Sequence, residues 1–157
     1  MRLIIGADHA GFPMKETARA VLEKLGHTVV DVGTHSEEPV DFPDIARAVA
    51  EPILAGETDR GVLVCGTGVG AAIAANKIPG IRATVAHDTY SARQGVEHDD
   101  VNVICVGAWL VGPTVIEQVV TEFLAAEFST DPDCRRRVEK LHQLELEAAA
   151  AARRPGA

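Results

Sequence analysis

Short, nearly continuous apolar runs alternate along this chain with longer segments of helical spacing. The runs are bounded by polar residues or glycines, which is typical of strands covered on both faces. The predicted strands are residues 2–6, 28–32, 61–65, 82–85 and 103–106. The predicted helices between and after them are residues 13–25, 42–54, 69–77, 89–97 and 113–125.

This alternation predicts an α/β fold. Repeated strand–helix–strand units require right-handed crossovers and a mainly parallel sheet. We therefore expect residues 1–128 to form a three-layer, Rossmann-like sandwich around a five-stranded sheet. In such folds, binding sites form outside the carboxyl ends of the strands.

The pattern changes after Phe128. Residues 129–133 are turn-like, and residues 134–152 strongly favour a helix. We expect residues 129–157 to be a C-terminal helical extension of the same domain, at a dimer interface, with residues 148–157 fraying. Three arginines in its first turns, at positions 135–137, oppose the helix dipole. Either an anion or another subunit offsets them, or they form a solvated basic turn.

Composition narrows the class of protein. A length of 157 residues that are 46% hydrophobic suits one domain with a sizeable core. The net charge of −8 argues against non-specific nucleic-acid binding. No run approaches the roughly 18 residues of a membrane span, and the chain starts with a predicted strand rather than a signal peptide. Three scattered cysteines favour a reducing compartment, so we expect a cytoplasmic protein.

The most informative segment is Val-Leu-Val-Cys-Gly-Thr-Gly-Val-Gly at residues 62–70. A buried strand delivers Cys65 into a loop of backbone N–H groups, which favours negative charge and would favour the thiolate. A lone cysteine at a strand end is more often a small core residue, and Cys105 is predicted to be one. Cys65 differs because glycines follow it at once.

The other strand ends also carry reactive side chains. They are Asp8 and His9, Thr67, His87 and Asp88, and Trp109. Residues 97–100 close the helix that follows Asp88. We expect them to converge on one rim. Structural alternatives remain: Asp8 as a partner of its own loop, His98 as a helix cap, and Asp99 with Asp100 as a solvated acidic turn.

A dinucleotide site is the competing interpretation. Residues 66–71 satisfy Gly-x-Gly-x-x-Ala, and Asp88 follows about twenty residues later. That fingerprint normally occupies the first strand–helix turn, whereas two such units precede it here, and no second domain remains. No P-loop lysine motif is present, and the histidines and cysteines lack metal-ligand spacing. We therefore predict no cofactor and no metal.

Four motifs in chain order carry a family resemblance. They are Gly-Ala-Asp-His-Ala-Gly-Phe at 6–12, Cys-Gly-Thr-Gly-Val-Gly at 65–70, Ala-Ala-Asn-Lys at 74–77 with Gly-Ile-Arg at 80–82, and Glu-His-Asp-Asp-Val-Asn at 97–102. Over about residues 1–140 the chain resembles the type B ribose-5-phosphate isomerases, a family that includes galactose-6-phosphate isomerases. The resemblance implies metal-independent aldose–ketose isomerisation in carbohydrate metabolism, and dimers whose active sites use both subunits.

The resemblance also implies residue roles. Cys65 would be the base that moves the C2 proton through a cis-enediolate, with a thiol pKa lowered toward neutrality. Thr67 and the loop N–H groups would stabilise the enediolate oxygen; that loop comprises Gly66, Gly68, Val69 and Gly70. His98, from the neighbouring subunit, and Asp8 would assist ring opening. His9 and Arg137 would contact the phosphate.

Three positions depart from the family pattern. Trp109 and Asp133 stand where family members carry phosphate-binding arginines. Asp99 stands where the family usually has an asparagine, and we expect Asp99 to contact the substrate. Arg135 or Arg136 replaces a missing phosphate-binding arginine if the C-terminal segment is shifted by one or two residues relative to the family pattern. Trp109 either stacks on the sugar or lies at the dimer interface.

The favoured reaction converts ribose 5-phosphate to ribulose 5-phosphate in the pentose phosphate pathway. The alternatives are the same chemistry on a tetrose 4-phosphate, a hexose 6-phosphate or an unphosphorylated sugar, and a non-catalytic nucleotide- or sugar-binding module. Whether dimers pair into tetramers stays open.

Overall fold

Strands and helices alternate as the hydrophobic pattern predicts. The computed structural model describes residues 1–152. Residues 148–152 are helical, so the predicted fraying does not begin at residue 148, and residues 153–157 lie outside the described residues. The strands are β1 (Arg2–Ala7), β2 (Thr28–Asp31), β3 (Arg60–Cys65), β4 (Ala83–Val85) and β5 (Val103–Gly107). The helices are α1 (Phe12–Lys24), α2 (Phe42–Leu54), α3 (Val69–Ala75), α4 (Thr89–Asp99), α5 (Pro113–Ala125) and α6 (Pro132–Ala152).

The five strands form one sheet in the order β2-β1-β3-β5-β4, and every neighbouring pair is parallel. The chain leaves β1 toward β2 and then crosses back over β1 to reach β3. This reversal opens a crevice outside the carboxyl ends of β1 and β3. Ala7 pairs with Val64 in the register, so the residues that follow both strands emerge side by side.

Helices cover both faces of the sheet, which confirms the predicted three-layer α/β sandwich. Helices α1, α4 and α5 pack on one face, and α2 and α3 pack on the other. Alternate strand residues point to opposite faces. Val62 and Val64 therefore join the first core cluster, whereas Leu63 and Cys65 face α2 and α3. Cys105 is fully buried in that second cluster, as predicted for a core residue.

Helix α6 lies outside this sandwich. It begins at Pro132, two residues before the predicted start, because proline suits the first helical turn. Of its side chains only Cys134 is buried, while Leu141, Leu144 and Leu146 are exposed. Its role at a subunit interface remains a prediction. Among residues 1–152, no helix combines the length and apolarity that crossing a membrane requires.

Two glycines allow the loops at the carboxyl edge of the sheet to pack against the strand ends. A Cβ atom on Gly11 would lie 1.9 Å from the Val64 carbonyl oxygen. A Cβ atom on Gly33 would lie 2.3 Å from the Ala7 amide nitrogen. These close approaches bring the loop after β1 over the end of β3 and the loop after β2 over the end of β1.

Replacing Gly11 by alanine should therefore lower the free energy of unfolding by about 2–4 kcal/mol, because backbone atoms of β3 would have to move. The matched control is Gly112→Ala. Both residues begin a helix at negative φ (−85° and −89°), but no atom lies within 4 Å of a Cβ built on Gly112. Urea unfolding should place the control within about 1 kcal/mol of the wild-type protein. Equal losses in the two variants would contradict the packing argument.

Candidate active site

The Cys65 thiol and the Asp8 carboxylate meet in the crevice between β1 and β3. The Cys65 Sγ donates to Asp8 Oδ2 over 2.9 Å. The other oxygen, Oδ1, accepts the Gly11 backbone N–H at 2.8 Å, and Asp8 is only 5% exposed. Asp8 therefore bonds its own loop, as one alternative predicted, and also bonds the thiol of the neighbouring strand.

The electrostatics of this pair correct one expectation. Burial raises the pKa of the Cys65 thiol, and the hydrogen bond and negative charge of Asp8 raise it further. The backbone N–H groups of Gly68 and Gly66 lower this pKa, in the predicted direction, but they are outweighed. The prediction of a pKa lowered toward neutrality is wrong for the single chain. The pair exists as a thiol that donates to a carboxylate.

The glycine-rich loop runs from Gly66 to Gly70 and leads into α3. Gly68 has a φ of +81°, a left-handed conformation that glycine adopts without strain. This turn places the backbone N–H groups of Gly66 and Gly68 near the Cys65 thiol, where they lower its pKa. The Thr67 hydroxyl accepts the Val69 N–H at 3.3 Å.

His9 lies on the same rim, in the loop after β1. Its Nδ1 accepts the Val40 backbone N–H at 3.2 Å, so the neutral ring carries its proton on Nε2. The segment that holds Val40 is anchored by Lys15, a buried lysine of α1. The Lys15 ammonium donates to Asp31 at 3.0 Å and to the Thr34 carbonyl at 2.6 Å. Because Nδ1 is occupied by the Val40 N–H, the His9 Nε2–H is left as a donor.

Trp109 also borders Cys65. Its backbone N–H donates to the Gly66 carbonyl at 3.0 Å, and the Ala108 N–H donates to the Cys65 carbonyl at 2.8 Å. The indole lies on Gly66, because a Cβ atom there would be 2.8–2.9 Å from three of its ring atoms. With 72% of its surface exposed, the ring forms part of the mouth of the crevice.

His87 is a residue of this rim to which the sequence analysis assigned no role. Its Nε2 accepts the Gly107 backbone N–H at 3.0 Å. A Cβ atom on Gly107 would lie 2.9 Å from that nitrogen and 2.9 Å from the Thr67 Cα. The sequence feature that could have identified His87 as a site residue is its position two residues after β4. Its partner could be identified only from the strand order.

Three predicted site residues lie elsewhere. His98 and Asp99 are exposed in the last turn of α4, which starts at the carboxyl edge of the sheet and runs back to the amino edge. Asp99 lines a shallow cavity with Arg82, which precedes β4. The expectation that residues 97–100 converge on the Cys65 rim is therefore wrong within one chain. Asp100 is not a freely solvated acid either, because its carboxylate accepts from Arg82 at 2.6 Å.

Arg137 lies at that same end of the molecule. Helix α6 packs beside α4, and the Ser129 N–H that precedes α6 donates to the Glu97 carbonyl at 2.9 Å. The Arg137 guanidinium is exposed and lies 3.9 Å from the Asp133 carboxylate. The single chain therefore keeps Arg137, His98 and Asp99 apart from Cys65.

Within the described residues 1–152, no three His, Cys, Asp or Glu side chains are grouped closely enough to hold an ion.

Comparisons with known proteins identify the family of this chain. A profile of the Ribose/Galactose Isomerase family matches residues 3–141. Ribose-5-phosphate isomerase B of Escherichia coli is 40% identical over 92% of this chain and 96% of that protein. D-erythrulose-4-phosphate isomerase 2 of Mycolicibacterium smegmatis is 43% identical over 82% of this chain and 86% of its own length.

A solved structure supports the same assignment. The structure of ribose-5-phosphate isomerase B from Clostridium thermocellum superposes with a TM-score of 0.91 at 42% identity, covering 94% of this chain and 99% of that one. The chain therefore belongs to the ribose/galactose isomerase family and is a sugar isomerase.

Proposed function

We propose that this enzyme interconverts ribose 5-phosphate and ribulose 5-phosphate. The observation that carries the proposal is the Cys65–Asp8 pair beside a loop of backbone donors, at the crevice of the sheet. An aldose–ketose isomerase must move one proton between C1 and C2 and stabilise an enediolate oxygen. The pair supplies a base, and the loop supplies the stabilising donors.

Asp8 provides the route by which Cys65 becomes a base. In this proposal Asp8 Oδ2 accepts the thiol proton across the 2.9 Å hydrogen bond and donates it to the ring oxygen, while the imidazole of His98 of the partner subunit takes the proton of the anomeric hydroxyl as the sugar opens. The thiolate then removes the C2 proton and returns it to C1, while the proton of the C2 hydroxyl passes to the C1 oxygen. Because burial and Asp8 raise the pKa of the thiol, the thiolate is a stronger base once it has formed.

The loop N–H groups act on the charge that develops next. The backbone N–H groups of Gly66 and Gly68 lower the pKa of the thiol, and Thr67 adds a hydroxyl between them. As negative charge passes from sulfur to the enediolate oxygen, backbone N–H groups of this loop stabilise that oxygen. Val69 and Gly70 continue the same turn and contribute further N–H groups. Each well-placed donor of this kind is worth about 3–4 kcal/mol.

We further propose that the enzyme is a homodimer with shared active sites, in the cytoplasm. His98, Asp99 and Arg137 lie at the opposite edge from Cys65, so a complete site needs these residues from a second copy. Arg137 would contact the phosphate together with His9 Nε2–H, and His98 of the partner subunit would assist ring opening. The free thiols at positions 65, 105 and 134 suit a reducing compartment.

Exposed apolar surface is available for such an interface. Phe42 and Ile73 line a cavity of about 520 Å³ between α2 and α3, next to the glycine-rich loop. The α6 leucines form a second apolar surface. Contiguous exposed apolar surface commonly marks a protein interface.

One observation favours a second candidate substrate. The exposed Trp109 indole covers Gly66 and narrows the mouth of the crevice, which suits a shorter sugar such as a tetrose 4-phosphate. The M. smegmatis relative is named for erythrulose 4-phosphate.

The function is tested by incubating the protein with four-, five- and six-carbon aldose phosphates and the free sugars, and measuring ketose formation. We expect ribose 5-phosphate to give the highest kcat/KM. Cys65→Ala should lower kcat by roughly 10³-fold or more with little change in ligand affinity, because it removes the base but none of the binding donors. A preference for the tetrose phosphate would support the second candidate. No turnover of any sugar would instead favour a binding module.

The role of Asp8 is tested by Asp8→Asn, which keeps the shape and removes the charge. The pKa of the Cys65 thiol should fall, so its alkylation by iodoacetamide should become faster at a given pH, while isomerase turnover should fall because the proton acceptor is lost. Cys65→Ser gives the background, since Cys105 and Cys134 are buried. Slower alkylation, or turnover that rises with it, would contradict the assignment.

Shared active sites are tested by mixing two inactive variants, Cys65→Ala and His98→Ala, with subunit exchange. Half of the dimers should then be mixed and contain one intact site, which restores about a quarter of wild-type activity. The matched control mixes Cys65→Ala with Asp8→Asn, whose residues lie on the same rim, and should restore nothing. If the first mixture stays as inactive as its components, each site is complete within one chain.

A further inference from the structure

His87 lies against the active-site loop but takes no part in the proton transfers proposed for Cys65 and Asp8. Its half-buried ring fills the space between the end of β5 and the glycine-rich loop. The Nε2 atom is 3.0 Å from the Gly107 amide nitrogen, and Thr67 lines the other side of this space.

The position of the ring follows from the short length of β4. The last register pair between β4 and β5 joins Val85 to Cys105, so no strand residue of β4 lies opposite Gly107. Gly107 is buried, and a buried N–H without an acceptor is costly. The His87 Nε2 takes the place of a strand carbonyl and satisfies this donor.

The other side of β5 binds the catalytic strand. Gly107 pairs with Cys65 in the register, and the two residues after it donate to the Cys65 and Gly66 carbonyls at 2.8 and 3.0 Å. The second of these residues is Trp109. One imidazole therefore supports the strand end that holds both the Trp109 indole and the backbone around Cys65.

This arrangement specifies one protonation state of the ring. Because Nε2 accepts a hydrogen bond, the proton of the neutral ring is on Nδ1, and an imidazolium could not accept at all. The next residue, Asp88, caps α4 by accepting the Ser91 N–H at 2.7 Å, which anchors the backbone beside His87. His9 is held in the opposite tautomer, since its Nδ1 is the acceptor.

We propose that His87 is a positioning residue of the isomerase site. Its Nδ1–H tautomer holds the end of β5, and through it Trp109 and the Gly66 backbone, in the geometry that Cys65 requires. This inference rests on the proposed function for its kinetic consequence. Its structural part can be measured without turnover, because the chain has a single tryptophan, Trp109, whose emission reports on the end of β5. Of the three cysteines, Cys65 is the partly exposed one, so thiol alkylation reports on the catalytic strand.

Three substitutions test the proposal. Glutamine places an acceptor oxygen at about the reach of Nε2, whereas asparagine reaches only as far as Nδ1, and alanine provides no acceptor. His87→Ala and His87→Asn should lower kcat by roughly ten- to a hundredfold with a smaller change in KM. Both should also shift the Trp109 emission and change the rate of Cys65 alkylation. His87→Gln should recover most of all three properties, and long-range ¹H–¹⁵N NMR of the wild-type ring should show the Nδ1–H tautomer.

Several results would overturn the positioning role of His87. An Nε2–H tautomer in the wild-type protein would overturn the proposal, as would wild-type kcat or wild-type Trp109 emission in His87→Ala. A glutamine variant as impaired as the alanine variant would also overturn it, since a general loss of folding stability would then explain both. If the wild-type protein isomerised no sugar, the proposed function would fail, yet emission, alkylation and NMR would still decide the structural part.

Discussion

The site depends on the hydrogen bond that joins a thiol at the end of one strand to a carboxylate at the end of the next. Cys65 and Asp8 are 57 positions apart in sequence, and the 2.9 Å contact exists because β1 and β3 are neighbours in register. Burial and the carboxylate keep the sulfur protonated, while N–H groups of the loop oppose them. A thiol held in this way is uncharged until its proton moves, so the only charge buried in the pair is that of the Asp8 carboxylate, which accepts two hydrogen bonds.

Close backbone packing makes that contact possible. Gly11 lets the loop after β1 lie on the Val64 carbonyl, and Gly66 lets the Trp109 indole lie on the loop after Cys65. Gly107 leaves room for the His87 ring. In each case the missing Cβ atom is replaced by a group from another element. The glycines at this edge therefore act as spacers that set how closely the elements of the site approach.

The polarity of the sheet explains why the predicted site divides into two groups. Side chains that follow the strands collect at the carboxyl edge, as Asp8, His9 and Trp109 do. Residues at the end of a following helix return to the amino edge, as His98 does in α4. Because α4 runs back across the sheet, a residue at its end lies at the opposite edge from a residue at its start. The proposed dimer reconciles the two groups by placing one edge of a subunit against the opposite edge of its partner.

The sequence by itself determined the alternation of strands and helices, the three layers and the glycine-rich loop after Cys65, because these follow from hydrophobic periodicity and glycine placement that act over a few residues. The order of the strands, and with it the pairing of Cys65 with Asp8 and of His87 with Gly107, was decided only in the tertiary structure. So was the pKa of the thiol, whose predicted direction was wrong. The physical reason is that burial and charge at a site sum over groups far apart in the chain, and no local pattern records which of them will meet.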